Sequence, residues 1–306
     1  MSKLIVVEGT DCSGKETQTN FLVKRLKKEG TQIEKLGYPM YGTPTGDIVG
    51  VSYLGKNYIF EEIYQEVWGN NYPEHLNEIE VLEYYFEEML DNNPYLKKQE
   101  AFQPINEFFD KLKKIILLYK ERTQGIFPEG AANVDAEIAM LYYAADRKFH
   151  DKKIKALLNN GYDVVLDRYV ESNMGHQGGK LHTKKERRKM YKMLERLEYK
   201  LLKLTRPDLI VFLYMPYQYA LELKKNRPEA PDQHEMSEEH LINAERAYLE
   251  LAKRYKFSTI NCVNNGSIRT KEDIHKEVYT LVKKHIKLNR PVQSGQTIKH
   301  QVYDKI

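Results

Sequence analysis

The chain is 306 residues long, 41% hydrophobic and 30% charged, the ordinary balance of a soluble globular protein with room for one large α/β domain or two small ones. Its net charge of +4 is small for this length, so the total argues for neither a nucleic-acid nor a membrane partner. Two cysteines, Cys12 and Cys262, give no disulfide framework and suit a reducing cytoplasm, and no stretch approaches the ~18 apolar residues of a membrane span.

The first predicted element is a strand at 4–7, Leu-Ile-Val-Val, which empties into Glu8-Gly9-Thr10-Asp11-Cys12-Ser13-Gly14-Lys15. This reads as a phosphate-binding loop. Gly9 and Gly14 let backbone N–H groups turn inward around phosphate oxygens, Lys15 brings a point charge to the β- and γ-phosphates, and the following helix presents its positive end. The bland alternative is a glycine-rich turn in an ordinary strand–helix unit. Where the pattern expects Ser or Thr to hold Mg²⁺, the chain has Glu16, with Thr17 one place late.

A helix follows at 17–28, with Phe21, Leu22 and Leu26 on one face and Gly30 as its stop. Further strands are expected at 32–36, 163–166, 209–214 and 258–263, and a long helix at 134–160 ending at Gly161. Five buried strands separated by helices predict a parallel sheet with helices on both faces, whose ligands sit beyond the carboxyl ends of the strands. The segment 56–130 interrupts this alternation. Its Trp68, many aromatics and apolar stripe from Ile105 to Ile116 predict a folded, mainly helical insertion. Residues 57–96 hold ten acids and no Lys or Arg, whereas 184–206 hold ten basic residues, read first as a solvated helix face and second as a phosphate-attracting surface. The polar tail 290–306 is the one piece expected to lack order, and 1–289 form a single domain around the insertion.

Two further clusters carry chemistry. On the long helix, Tyr143 and Arg147 are four residues apart, a spacing that puts a ring and a guanidinium on one face, where they could hold a nucleobase or simply pack at the surface. At the end of the third strand, Asp167-Arg168-Tyr169 delivers an acid and a guanidinium to the ligand edge. Arg168 could bind phosphate bidentately while Asp167 holds Mg²⁺ through water or orients the arginine, or the pair could be a helix cap with an exposed arginine. Asn173 and Gln177 in the next turn offer amides to a base edge, and His176 alone reads as structural.

These residues together resemble the thymidylate kinases, which transfer the γ-phosphoryl group of ATP to dTMP. The resemblance is carried by Glu8-Gly9-Thr10-Asp11 into Gly14-Lys15-Glu16-Thr17-Gln18, by Tyr38-Pro39 with Thr43-Pro44-Thr45-Gly46, and by Ala144-Ala145-Asp146-Arg147. Asp167-Arg168-Tyr169 and Arg206-Pro207-Asp208-Leu209 complete it, in family order. It implies the P-loop nucleoside-monophosphate-kinase fold, ATP with Mg²⁺ as the donor, small-molecule nucleotide substrates and a homodimer. It also implies that Asp11 contacts the acceptor's sugar or phosphate side, Tyr143 stacks on thymine, Arg147 bonds its carbonyl, Asn173 and Gln177 approach base or sugar, and Arg168 binds phosphate. Tyr41 falls in the acceptor segment.

The chain also departs from the family. A catalytic arginine is usual either in the phosphate loop, where Cys12 stands, or in the lid, where Gln233 stands; the arginine near Tyr38-Pro39 is replaced by Met40 and Tyr41. Arg227, behind Lys224 and Lys225 on a Pro-rich loop, is left to close over the phosphates. The expected activity is therefore phosphorylation of dTMP by Lys15, Arg168, Arg227 and Asp11, with Glu16, Thr17 and Asp167 toward Mg²⁺. The alternatives are a kinase for another pyrimidine deoxynucleotide, such as dUMP or a modified-base monophosphate, and a catalytically weak nucleotide-binding protein.

Overall fold

The computed structural model describes residues 2–54, 130–131, 133–225 and 238–286, with isolated residues at 87, 90–92, 106–107 and 110. The insertion with its apolar stripe, Arg227 and the polar tail lie outside the described residues.

Five strands build one parallel sheet: β1 Leu4–Gly9, β2 Ile33–Gly37, β3 Asp163–Asp167, β4 Leu209–Tyr214 and β5 Ser258–Asn261, in the order β2-β3-β1-β4-β5. The expected strands are all present. Side chains alternate across β1, so Leu4 and Val6 enter one apolar layer while Ile5 and Val7 enter the other. The Ile5–Val7 layer is closed by α1 (Lys15–Lys28) and α8 (Lys271–Lys283) through Leu22, Val23, Leu26, Ile274, Val278 and Val282. On the other face lie α3 (Ala136–Asn159), α4 (Val170–Gly179), α5 (Lys184–Leu194), which continues as a π-helical stretch over Glu195–Leu201, and α7 (Glu238–Tyr255). A short α2 (Pro44–Asp47) runs into a π-helical turn, Ile48–Tyr53, and α6 (Tyr217–Lys225) follows β4. A hairpin, β6 Val263–Asn264 with β7 Ser267–Ile268, completes the described elements.

Helix α1 starts two residues before the expected position because Gly14, at φ 79, caps it directly out of the loop. The basic run is a solvated face: on α5 Lys184, Lys185, Arg188, Lys189 and Lys192 are exposed. Its exception is Arg187, which is buried and forks onto Glu250 at 2.6 and 3.1 Å. Two glycines set the approach of α4 to its neighbours. A Cβ at Gly175 would lie 2.7 Å from the Tyr248 ring of α7, and one at Gly178 would lie 2.5 Å from Tyr191 of α5. That closeness brings α7 against the carboxyl edge of the sheet.

Candidate active site

Parallel register puts the ends of β1 and β3 side by side, with Val7 paired to Asp167 and the Arg168 N–H donating to the Val7 carbonyl at 3.1 Å. The loop Thr10–Gly14 and the Asp167-Arg168 step therefore share one edge, as the sequence leads one to expect of a ligand site. Cys12 at φ 55 and Arg168 at φ 65 are non-glycine residues in the left-handed region, a strain that persists only where the surroundings enforce it. For Arg168 the enforcing group is Glu8. Its carboxylate, fully buried at the end of β1, accepts from the N–H groups of Tyr169 (2.8 Å) and Ser172 (3.0 Å) and from the Ser172 hydroxyl (2.6 Å), and Tyr248 donates to it from α7 at 3.4 Å. Burial raises the Glu8 pKa even so.

Within this frame Arg168 reaches back to the loop, its Nη2 donating to Asp11 Oδ1 at 3.2 Å. Burial works against ionising Asp11, but its neighbours His176, Arg168 and Lys15 override it and hold the carboxyl well below its usual range. The ammonium of Lys15, buried, folds onto the carbonyls of Gly9 (3.1 Å) and Thr10 (2.9 Å). Desolvation, aided by the nearby Arg168, pulls its pKa down to about 8. Gly9 is required at this point, since a Cβ there would lie 2.3 Å from Ser13 Oγ and 2.7 Å from the Leu213 carbonyl. Ser13 is buried and its hydroxyl has no hydrogen-bond partner among the described residues.

The metal candidates separate. Asp167 is half-buried at the end of β3 and Thr17 half-buried on α1, whereas the Glu16 side chain is 79% exposed and its carboxylate lies 4.0 Å from Lys35. Among the described residues no three His, Cys, Asp or Glu side chains converge as a metal cage.

On the acceptor side the expected Tyr143 and Arg147 partnership is not what the structure builds. Tyr143 packs edge-on against Tyr53 of the π-helical turn, with ring centroids 5.6 Å apart. Arg147 turns inward to a fully buried bidentate pair with Glu198, at 2.5 and 2.7 Å, and its Nη1 donates to the Tyr169 carbonyl at 3.3 Å. A shared face brought the two residues to the same side of α3, and neighbouring elements then took them to different partners. Asn173 also donates to Glu198 (3.0 Å) and to the Met140 carbonyl (3.1 Å), while its Oδ1 and both amide atoms of the buried Gln177 have no hydrogen-bond partner among the described residues. Asp146, next to Arg147, anchors the Tyr38–Thr45 segment through the Met40 N–H (3.0 Å) and the Thr45 hydroxyl (2.9 Å). Tyr41 in that segment is 39% exposed.

Sequence reasoning missed Glu8 as a hub, together with Glu198, Tyr248 and His240. Only Glu8 carried a local signal, a carboxylate ending a strand of buried residues; the others sit on helices whose spacing says nothing about the loop.

The thymidylate kinase family model matches residues 123–278, just over half of the chain. The chain belongs to the thymidylate kinase family. Among curated relatives it is similar to the thymidylate kinase of Plasmodium falciparum, 36% identical over 26% of this chain and 38% of that one. It is also similar to a probable thymidylate kinase of Methanocaldococcus jannaschii, 28% identical over 61% of this chain and 85% of that one. A third relative, the thymidylate kinase of Brachyspira hyodysenteriae, is 29% identical over 42% of this chain and 54% of that one. The matched length is thus well under two thirds of the first and third relatives. The solved thymidylate kinase of Candida albicans shares the fold at a TM-score of 0.53 and 17% identity, over 93% of this chain and 92% of that one. No helix among the described residues is long and apolar enough to cross a membrane.

Proposed function

We propose that the chain phosphorylates dTMP to dTDP with ATP as donor. The observation that carries this reading is the contact of Arg168 with Asp11 at the mouth of a phosphate loop, in a chain of the thymidylate kinase family. Phosphoryl transfer asks for positioning and charge neutralisation more than for covalent help. In this reading a phosphate oxygen of the acceptor attacks the γ-phosphorus, and ADP leaves. Lys15 exchanges its two loop carbonyls for the β- and γ-phosphate oxygens, and the loop N–H groups with the start of α1 take the rest. Arg168, held charged beside Asp11, takes the phosphate between donor and acceptor, and Asp11 orients that guanidinium and meets the acceptor's sugar side.

On the acceptor side, Asn173 Oδ1 and the amide of Gln177, which have no hydrogen-bond partner among the described residues, are polar atoms that a base or sugar would satisfy, and Tyr143 of α3 is the ring proposed to stack on the base. Arg147, held by Glu198, acts by fixing Asn173 rather than by offering its own fork. Mg²⁺, which keeps several waters when bound, would be held through those waters by Asp167, Glu16 and Thr17 and would supply positive charge toward the nucleotide phosphates. Arg227 is proposed to supply a further positive charge.

A coupled assay of the purified protein with ATP, Mg²⁺ and a panel of deoxynucleoside monophosphates tests the reading. Turnover of dTMP above all others supports it. Preference for dUMP or a modified base moves the specificity, and binding without turnover makes the chain a nucleotide-binding protein.

A further inference from the structure

Beyond Asp11, the guanidinium of Arg168 has a second contact, with His176 Nε2 at 3.4 Å. On the far side of that ring, His176 Nδ1 meets His240 Nε2 at 3.2 Å, and the two imidazole planes lie 8° apart with centroids 5.4 Å apart. His240 belongs to α7, 64 residues further along the chain. The Tyr248 ring, one of the groups around Glu8, stands edge-on to His176 at 5.8 Å.

Only one arrangement of protons satisfies these contacts. A guanidinium nitrogen can donate and cannot accept, so His176 Nε2 must present its lone pair to Arg168. Neutral His176 then carries its proton on Nδ1 and donates it to His240 Nε2, which in turn must be unprotonated, leaving the His240 proton on Nδ1. We propose that His176 and His240 are positioning residues that fix the guanidinium of Arg168 against Asp11 through this directed chain, tying α7 to the phosphate-binding edge. The proposal rests on the reading that Arg168 binds the phosphate in transfer.

The chain works only with both rings neutral. A proton on His176 Nε2 would set N–H against N–H and add a positive charge beside Arg168 and Lys15. The surroundings oppose that proton. Burial drives His176 down to about 3 and His240 to about 4, although Asp11 pulls both upward. Among the described residues, the charged and titratable groups that act on the pair include Asp11 and Lys15 of the loop, Arg168 after β3, Lys180 following α4, and Tyr248 on α7. Net positive charge on that list favours neutral imidazoles. Glu8 thus fixes the backbone that follows Arg168, Asp11 fixes one edge of its fork, and His176 fixes the other edge.

The test has a spectroscopic and a kinetic arm. Two-bond ¹H–¹⁵N spectra of the ring nitrogens in the full-length labelled protein should show both His176 and His240 as Nδ1–H tautomers that stay neutral from pH 8 to pH 5. A His176 ring protonated at Nε2, or titrating near the ordinary histidine value, overturns the proposal whether or not the protein turns over dTMP. In the kinetic arm, His240→Leu removes the acceptor, and His240→Gln restores one at the same reach. The Leu variant should lose roughly tenfold in kcat with the KM for ATP unchanged, and Gln should recover most of that loss. Equal kcat in both variants, or a loss that follows their melting temperatures alone, would assign the pair to packing and overturn it. Wild-type protein that turns over no nucleotide yet shows both Nδ1–H tautomers would overturn the kinase reading and leave the hydrogen-bond chain standing.

Discussion

Glu198→Leu is the substitution for which the structure sets the largest cost. Arg147 is 2% exposed and Glu198 0%, so neither has water to fall back on. Removing the carboxylate strips Arg147 of two charge-assisted hydrogen bonds and leaves a buried guanidinium with the Tyr169 carbonyl at 3.3 Å as its remaining acceptor among the described residues. Orphaning one member of a buried pair costs about 3–5 kcal/mol, and Asn173 loses one of its two acceptors as well. At ~2–4 °C per kcal/mol for a protein of this size class, melting should fall by about 10 °C. Replacing both partners, Arg147→Met with Glu198→Leu, should return most of that stability, because an apolar pair has no charge to desolvate. Urea denaturation of wild type, both single variants and the double variant measures the coupling directly. A loss under about 1 kcal/mol in Glu198→Leu would show that the guanidinium reaches water or another anion. If Arg147→Lys raised the KM for the acceptor nucleotide alone and left stability intact, Arg147 would be a base-binding residue and the positioning role given to it here would fail.

Lys15→Ala should lower kcat by roughly 10²-fold or more with the fold unchanged by circular dichroism; near wild-type turnover would remove the loop lysine from the reaction. Because free Lys15 loses its proton at about 8 and phosphates bind the charged form, ATP affinity should weaken as pH rises above 8, with proton uptake on binding. Calorimetry at pH 8.5 in buffers of different ionisation enthalpy detects that uptake, and its absence would refute the linkage. Glu171, buried and pushed up to about 7 by burial and then by Glu8, has a folded pKa above its unfolded one. Its penalty is absent below about 4.5, grows as pH rises from there to about 7 and is complete above that. Glu171→Gln should therefore stabilise the protein at pH 8 and not at pH 4.5, and equal effects at both would contradict the burial argument. Glu16→Gln should raise the Mg²⁺ concentration for half-maximal rate without changing acceptor affinity; an unchanged metal dependence would leave Thr17, Asp167 and water to carry the ion.

What the sequence determined by itself is what local spacing encodes. The strand that ends at Glu8, the glycines and lysine of the loop, the helix that leaves it, and the four other strands all follow from apolar runs and turn residues within about ten positions. So does the meeting of the loop with Asp167-Arg168, because parallel strands must end at the same edge of the sheet. The tertiary structure alone decided which partner each side chain found there. Tyr143 and Arg147 share a helix face, yet Arg147 is claimed by a glutamate 51 residues away. Glu8 gathers groups 161, 164 and 240 residues distant, and His176 reaches its second ring only because α7 packs on the glycines of α4. A buried charge takes whichever opposite charge or donor the packing brings within about 3 Å. No periodicity in the chain records that choice, because it is made by contacts between elements far apart in sequence.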